Sequence, residues 1–97
     1  MIRHVVTFRW QQGTTDEQKQ QVAADLATLP PLMTGLVSFH CGDDEGLVQG
    51  NADFAVTADF DDAAAYLAYR NHPAHLAVME RSINPIVAQR IGVQFEI

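Results

Sequence analysis

Residues 2–10, Ile-Arg-His-Val-Val-Thr-Phe-Arg-Trp, alternate between two faces. Ile2, His4, Val6, Phe8 and Trp10 fall on one face; Arg3, Val5, Thr7 and Arg9 fall on the other. A period of two belongs to a pleated strand, and a face this apolar has to be covered. The alternation returns at about Asp53–Phe60, where Phe54, Val56, Ala58 and Phe60 share a side. It returns again at Arg90–Ile97, where Ile91, Val93, Phe95 and Ile97 do. A shorter strand, about Leu36–Cys41, opens after Gly35. Four such segments commit the chain to a sheet, and 97 residues leave room for one core. A single domain over residues 1–97 is expected.

Helical signals fill the gaps between these strands. Thr14 and Thr15 stand three residues before Glu17 and Gln18, so either pair makes a capping box. Val22, Ala23, Leu26 and Leu29 then form a helical stripe, which Pro30 and Pro31 stop. Asp61 or Asp62 caps a second, alanine-rich helix that runs to Tyr69. His72-Pro73 breaks it, because a residue before proline avoids the α region. Pro73 suits the first position of a third helix, which carries Leu76, Met79, Ile83 and Val87 and is interrupted by Asn84-Pro85. Taking the last two helices as one broken unit gives βαββαβ. This is an α+β, ferredoxin-like arrangement with helices on one face of a four-stranded antiparallel sheet. The apolar strand faces, Ile91 to Ile97 included, are expected beneath the helices. By that parity His4 points inward, and Val5, Thr7, Ala55, Thr57, Gly92, Gln94 and Glu96 face the other way. That second face could meet solvent or the same face of another copy.

Composition excludes several roles. The net charge is −6 with one lysine, and no basic stripe exists, so no nucleic-acid partner is expected. No apolar run approaches the ~18 residues that cross a membrane. Cys41 is the only cysteine, which rules out an intrachain disulfide and fits a reducing, cytoplasmic setting.

The chemistry is concentrated in Tyr69-Arg70-Asn71-His72-Pro73-Ala74-His75, a phenol and two imidazoles around a helix break. Imidazole exchanges protons near neutral pH. His75, in the first turn of the third helix and partly desolvated, would be a neutral base. Tyr69 would donate to a carbonyl or enolate oxygen, and His4 would orient the base or shuttle the proton. Val6, Phe8, Val56, Tyr66 and His72 are the candidate substrate-binding residues. The same groups have a structural reading: His-Pro as a kinking and capping device, Tyr69 as a rim aromatic, His4 as a paired buried polar group. His72 and His75 are spaced i, i+3, but no motif places a third ligand, so neither a metal nor another cofactor is expected.

Ile2-Arg3-His4-Val5-Val6 with Phe8, Gly13-Thr14-Thr15, Leu29-Pro30 with Gly35, Phe60-Asp61-Asp62, and above all Tyr69 through His72-Pro73-Ala74-His75 resemble the stress-responsive dimeric α/β-barrel (Dabb) family. Val93 and Phe95 complete the pattern, which spans nearly the whole chain. The resemblance implies a ferredoxin-like protomer whose sheet joins that of a partner in a barrel-shaped homodimer. It also implies a correspondence with a polyketide cyclase of that family, an enzyme of intramolecular aldol condensation, in which His4, Tyr69 and His75 match its functional histidine, tyrosine and base. The bulky first-helix residues that shape that pocket are not matched; Gln20, Gln21 and Ala24 stand there instead. Two functions are therefore expected to compete. One is a binder of a small carbonyl-containing metabolite, with cofactor-independent aldol, cyclase or isomerase chemistry. The other is a non-catalytic, stress-associated binding or structural module.

Overall fold

The alternating segment forms strand β1, Ile2–Trp10. Thr15 then closes the expected capping box: its hydroxyl accepts from the Gln18 amide while Gln18 accepts from the Thr15 amide. Helix α1, Asp16–Leu26, ends before the prolines, not at them. Pro30–Leu32 makes a separate 3₁₀ turn after Leu29, whose side chain is fully enclosed. Strands β2, Leu36–Asp43, and β3, Phe54–Phe60, follow. Asp62 caps α2, Ala63–Asn71, by accepting from the Ala65 amide. After the break come α3, Pro73–Val78, a π-helical turn at Met79–Ile83, and β4, Val87–Glu96. The computed structural model describes residues 1–97.

The sheet is antiparallel throughout, in the order β2-β3-β1-β4. The helices cover one face, and the shortest dimension of 17 Å suits two layers. Between them lie Val6, Phe8, Trp10, Phe54, Val56, Ala58 and Phe60 from the sheet, with Val22, Leu26, Leu29, Tyr69, Val78 and Ile83 from the other layer. Gly35 (φ +80°) is held to glycine twice, by its left-handed backbone and by Ala65, whose Cβ would stand 2.7 Å from any added Cβ.

Two expectations are corrected. The buried stripe of the third helical segment is His75, Val78, Met79, Ser82 and Ile83, with Leu76 exposed and Val87 already in β4. This rotation buries polar groups, and each finds a partner. Ser82 donates to Asp25 of α1. Burial pushes the Asp25 carboxyl up, but hydrogen bonds from Ser82, Gln21 and Arg81 outweigh it and hold the group below its usual range.

The second correction is the parity of β4. Its register pairs His4 with Gln94, Val6 with Gly92 and Phe8 with Arg90. Cross-strand partners project to the same side, so Arg90, Gly92, Gln94 and Glu96 share the helix side. Ile91, Val93 and Phe95 lie with Thr7, Val5 and Arg3 on the uncovered face. The apolar side of β4 is therefore the side without helices. On the helix side, this edge strand lies where a polar rim can reach solvent.

Candidate functional site

The polar side of β4 and the end of α2 enclose a hollow of about 380 Å³, lined by His4, Val6, Tyr66, Leu67, Arg70, Arg90, Gly92 and Gln94. His4 is buried at its floor. Gln94 Nε2 stands 3.0 Å from His4 Nδ1, so the amide donates and the proton of the neutral ring resides on Nε2. The Tyr66 ring lies 4.9 Å from the imidazole, centre to centre. Burial pushes the His4 pKa down to about 4, and the charges of Arg90 and then His75 add to the effect.

That shift has a consequence for stability. A histidine whose pKa falls on folding favours the fold fully above its unfolded value, 6.5, and loses that contribution as the pH drops toward about 4. With a discount for the open rim of the hollow, the loss is on the order of 2 kcal/mol. Urea midpoints at pH 7 and pH 4.5 should therefore diverge more in the wild type than in His4→Phe. Equal divergence would show that His4 does not titrate this way.

His75 is set by the helix break. His72 ends α2 and starts α3, its Nδ1 accepting from the Ala74 amide at 3.0 Å. Pro73 occupies the next position, where its missing N–H costs nothing. The turn directs the buried His75 inward, with Nδ1 3.0 Å from the Arg70 carbonyl. A carbonyl only accepts, so Nδ1 carries the hydrogen and Nε2 keeps its lone pair. Burial lowers the His75 pKa; the bond to the carbonyl opposes this, and the charges of Arg90, Arg70 and His72 reinforce it.

Tyr69 lies between the two imidazoles, its ring 4.5 Å from His75 and 6.2 Å from His4. It is almost wholly enclosed. Burial, and then the neighbouring Tyr66, raise its pKa well above the ordinary phenol value, so it remains a protonated donor. A neutral imidazole acceptor beside a phenol donor is the pair that removal of a proton α to a carbonyl requires.

Among the sequence candidates, His4, Tyr66, Tyr69 and His75 form a continuous series of rings, and Val6 lines the hollow. Phe8 and Val56 lie in the closed core beneath it, and His72 serves the helix junction. The histidines open on different spaces. A second hollow of about 300 Å³ is lined by His75 with Arg70, Asn71, Leu76, Met79, Asn84 and Arg90. Arg70 and Arg90 belong to both. Gln94, Arg70 and Arg90 are absent from the sequence candidates. The signal that finds Gln94 and Arg90 is the β1–β4 register. A larger concavity, about 510 Å³, lies at the acidic β2–β3 loop against Thr7 and Ala55 and contains no histidine.

This geometry defines a class: a ferredoxin-like α+β protomer with an apolar open sheet face and a polar pocket at the helix-side edge. The chain belongs to the stress responsive A/B barrel domain (Dabb) family, whose model matches residues 2–97. It is 42% identical to a dimeric ferredoxin-like protein of unknown function from Thermobifida fusca, with a TM-score of 0.92, covering 99% of this chain and 90% of that one. A Dabb family protein from Mesorhizobium loti is similar at 22% identity and a TM-score of 0.81, covering 99% and 95%. Hydroxynitrile lyase from Passiflora edulis shares the fold at 20% identity and a TM-score of 0.85, covering 99% and 92%. No curated protein matches by sequence. No helix is long and apolar enough to cross a membrane.

Proposed function

We propose that the chain is a homodimer joined through its open sheet face, and that each protomer binds a small carbonyl-containing metabolite beside His4, Tyr69 and His75. His75 Nε2 removes an α-proton, the Tyr69 hydroxyl donates to the developing enolate oxygen, and His4 Nε2–H supplies a further donor. Aldol, cyclase and isomerase reactions share this first step, and it needs no cofactor. The hydrogen bond from His75 Nδ1 to the Arg70 carbonyl carries the reading, because it fixes the tautomer that a base must have. The dimeric character of several similar proteins supports the assembly. An exposed free Cys41 suits the reducing cytoplasm.

The test is deuterium incorporation α to the carbonyl, followed by NMR in D₂O with a panel of oxo acids, β-keto thioesters and neutral ketones. Incorporation above the uncatalysed rate is expected for at least one member, with Tyr69→Phe slowing it about 100-fold through loss of the oxyanion donor. No incorporation from any member would overturn the catalytic reading. The second reading, a non-catalytic binding module, would then stand. One observation favours it: His4 and His75 border separate hollows.

A further inference from the structure

The chain carries six basic residues against twelve acidic ones, and most of its arginines are engaged. Arg3 pairs with Asp59 at 2.8 Å, Arg81 with Asp25 at 3.3 Å, and Arg9 donates to the Gly50 carbonyl at 2.6 Å. Arg70 and Arg90 stand apart. Neither reaches a carboxylate, although both line the His4 hollow and the His75 hollow. Two free guanidiniums therefore line both the space bordered by His75 and the space bordered by His4.

The fold fixes the Arg70 backbone and a ring supports Arg90. Arg70 lies in the last turn of α2, its own carbonyl held by His75. The Arg90 guanidinium lies 5.9 Å from the centre of the Phe8 ring, which steadies it from below. Around them are Val6, Leu67 and Gly92, and no acidic side chain lines either hollow. In a protein of net charge −6 this is a local reversal of potential over a partly apolar surface. A planar guanidinium matches a carboxylate with two parallel hydrogen bonds, and two of them together select an anion over a neutral ketone.

We infer that Arg70 and Arg90 together hold the carboxylate of the ligand, which makes the ligand class a small oxo acid. The carboxylate bridges the guanidiniums and the carbonyl is directed to the Tyr69–His75 pair. The orientation rests on the proposed role of His75; the anion site rests on the arginines alone. The hollow that His75 borders with both arginines, about 300 Å³, accommodates a molecule of a few carbons.

The experiment is an NMR titration of the full chain, labelled with ¹⁵N, read at the arginine Nε–H signals. The probes are 4-oxopentanoate, its methyl ester and inorganic phosphate. The acid is expected to shift Arg70 and Arg90 saturably, the ester to bind at least about tenfold more weakly, and phosphate to displace the acid. Arg70→Gln and Arg90→Gln should each weaken the acid about tenfold and leave the ester unchanged, with the lysine variants intermediate. Amide spectra establish that the variants are folded; a glutamine variant that unfolds is replaced by its lysine counterpart.

Equal affinity for acid and ester would overturn the proposal. So would an acid affinity indifferent to all four substitutions, binding of phosphate but not of the acid, or no saturable shift from either. Failure of this proposal and failure of the base reading are distinguishable. Acid bound at the arginines without α-deuterium incorporation removes the base and leaves the anion site. Incorporation indifferent to Arg70→Gln and Arg90→Gln removes the anion site and leaves the base.

Discussion

Replacing His75 with alanine is expected to lower α-deuterium incorporation by about 10³-fold, within the usual worth of a positioned general base. The size of the effect follows from the geometry. Nδ1–H is committed to the Arg70 carbonyl, so the ring presents a single acceptor, and Tyr69 is the aromatic donor packed beside it at 4.5 Å between ring centres. The pH profile carries more information than the rate. Burial and the nearby arginines favour the neutral ring, so the pKa of His75 lies below the ordinary imidazole value. The neutral form is the base, and it persists to lower pH than a free imidazole would. In the wild type the acid limb of the exchange rate should therefore have its midpoint below pH 6.5. His75→Ala should lose that limb along with the rate. A wild-type midpoint at or above 6.5 would remove His75 from the role of base, as would a variant that retains full exchange. A loss of rate through unfolding is recognised from the amide spectrum.

The helix break, the inward His4 and the buried His75 could be read from the sequence because each follows from a local rule. Proline fixes its own φ and restricts the residue before it, the pleat alternates side chains, and Thr15 and Asp62 cap the helices that follow them. The rotation of the third helix is not fixed by a local rule. Leu76, Met79 and Ile83 make a plausible apolar stripe, but it competes with His75, Val78, Met79 and Ser82. The second stripe is preferred where Asp25 and the Arg70 carbonyl satisfy its polar members, and those partners lie far away or across a break. The parity of β4 is hidden for a different reason. In the sequence the helices are the only visible cover for a hydrophobic face, whereas inter-strand hydrogen bonds alone decide which residues oppose His4. Under the inverted parity Gln94 faces away from the helices, although its register opposite His4 sets it beside that ring. The polar edge beside His4 is therefore hidden in the sequence, while the Tyr69–His75 segment is legible there.

The corrected parity changes what the open face implies, and Val93→Asp is the substitution that tests it. Ile91, Val93, Phe95 and Ile97 are 60%, 54%, 45% and 47% exposed in the protomer. Ile91, Val93 and Phe95 lie across from Thr7, Val5 and Arg3, so these three are a contiguous sheet surface and not isolated apolar residues. A two-fold dimer through this face would pack it against its own copy, and each substitution would then act twice. An aspartate at position 93 would have to be buried without a designed partner in both copies, at a cost of about 2–4 kcal/mol per site. Within the protomer the same aspartate faces water beside Val5, so the fold itself should tolerate it. The expected result is a wild-type dimer and a folded Val93→Asp monomer at micromolar concentration by sedimentation equilibrium, with a helical circular-dichroism signal that is little changed. Ala55→Ser, also on the open face but adding only a small hydroxyl, should stay dimeric. A monomeric wild type, or a Val93→Asp protein that sediments as a dimer, would exclude the sheet face as the interface. The helix-side hollows do not include Val93, so a folded monomer should also retain the Arg70–Arg90 pair. Loss of exchange on dissociation would then mean that the partner sheet stabilises β4, and with it the Gln94–His4 contact, through the face opposite the pocket.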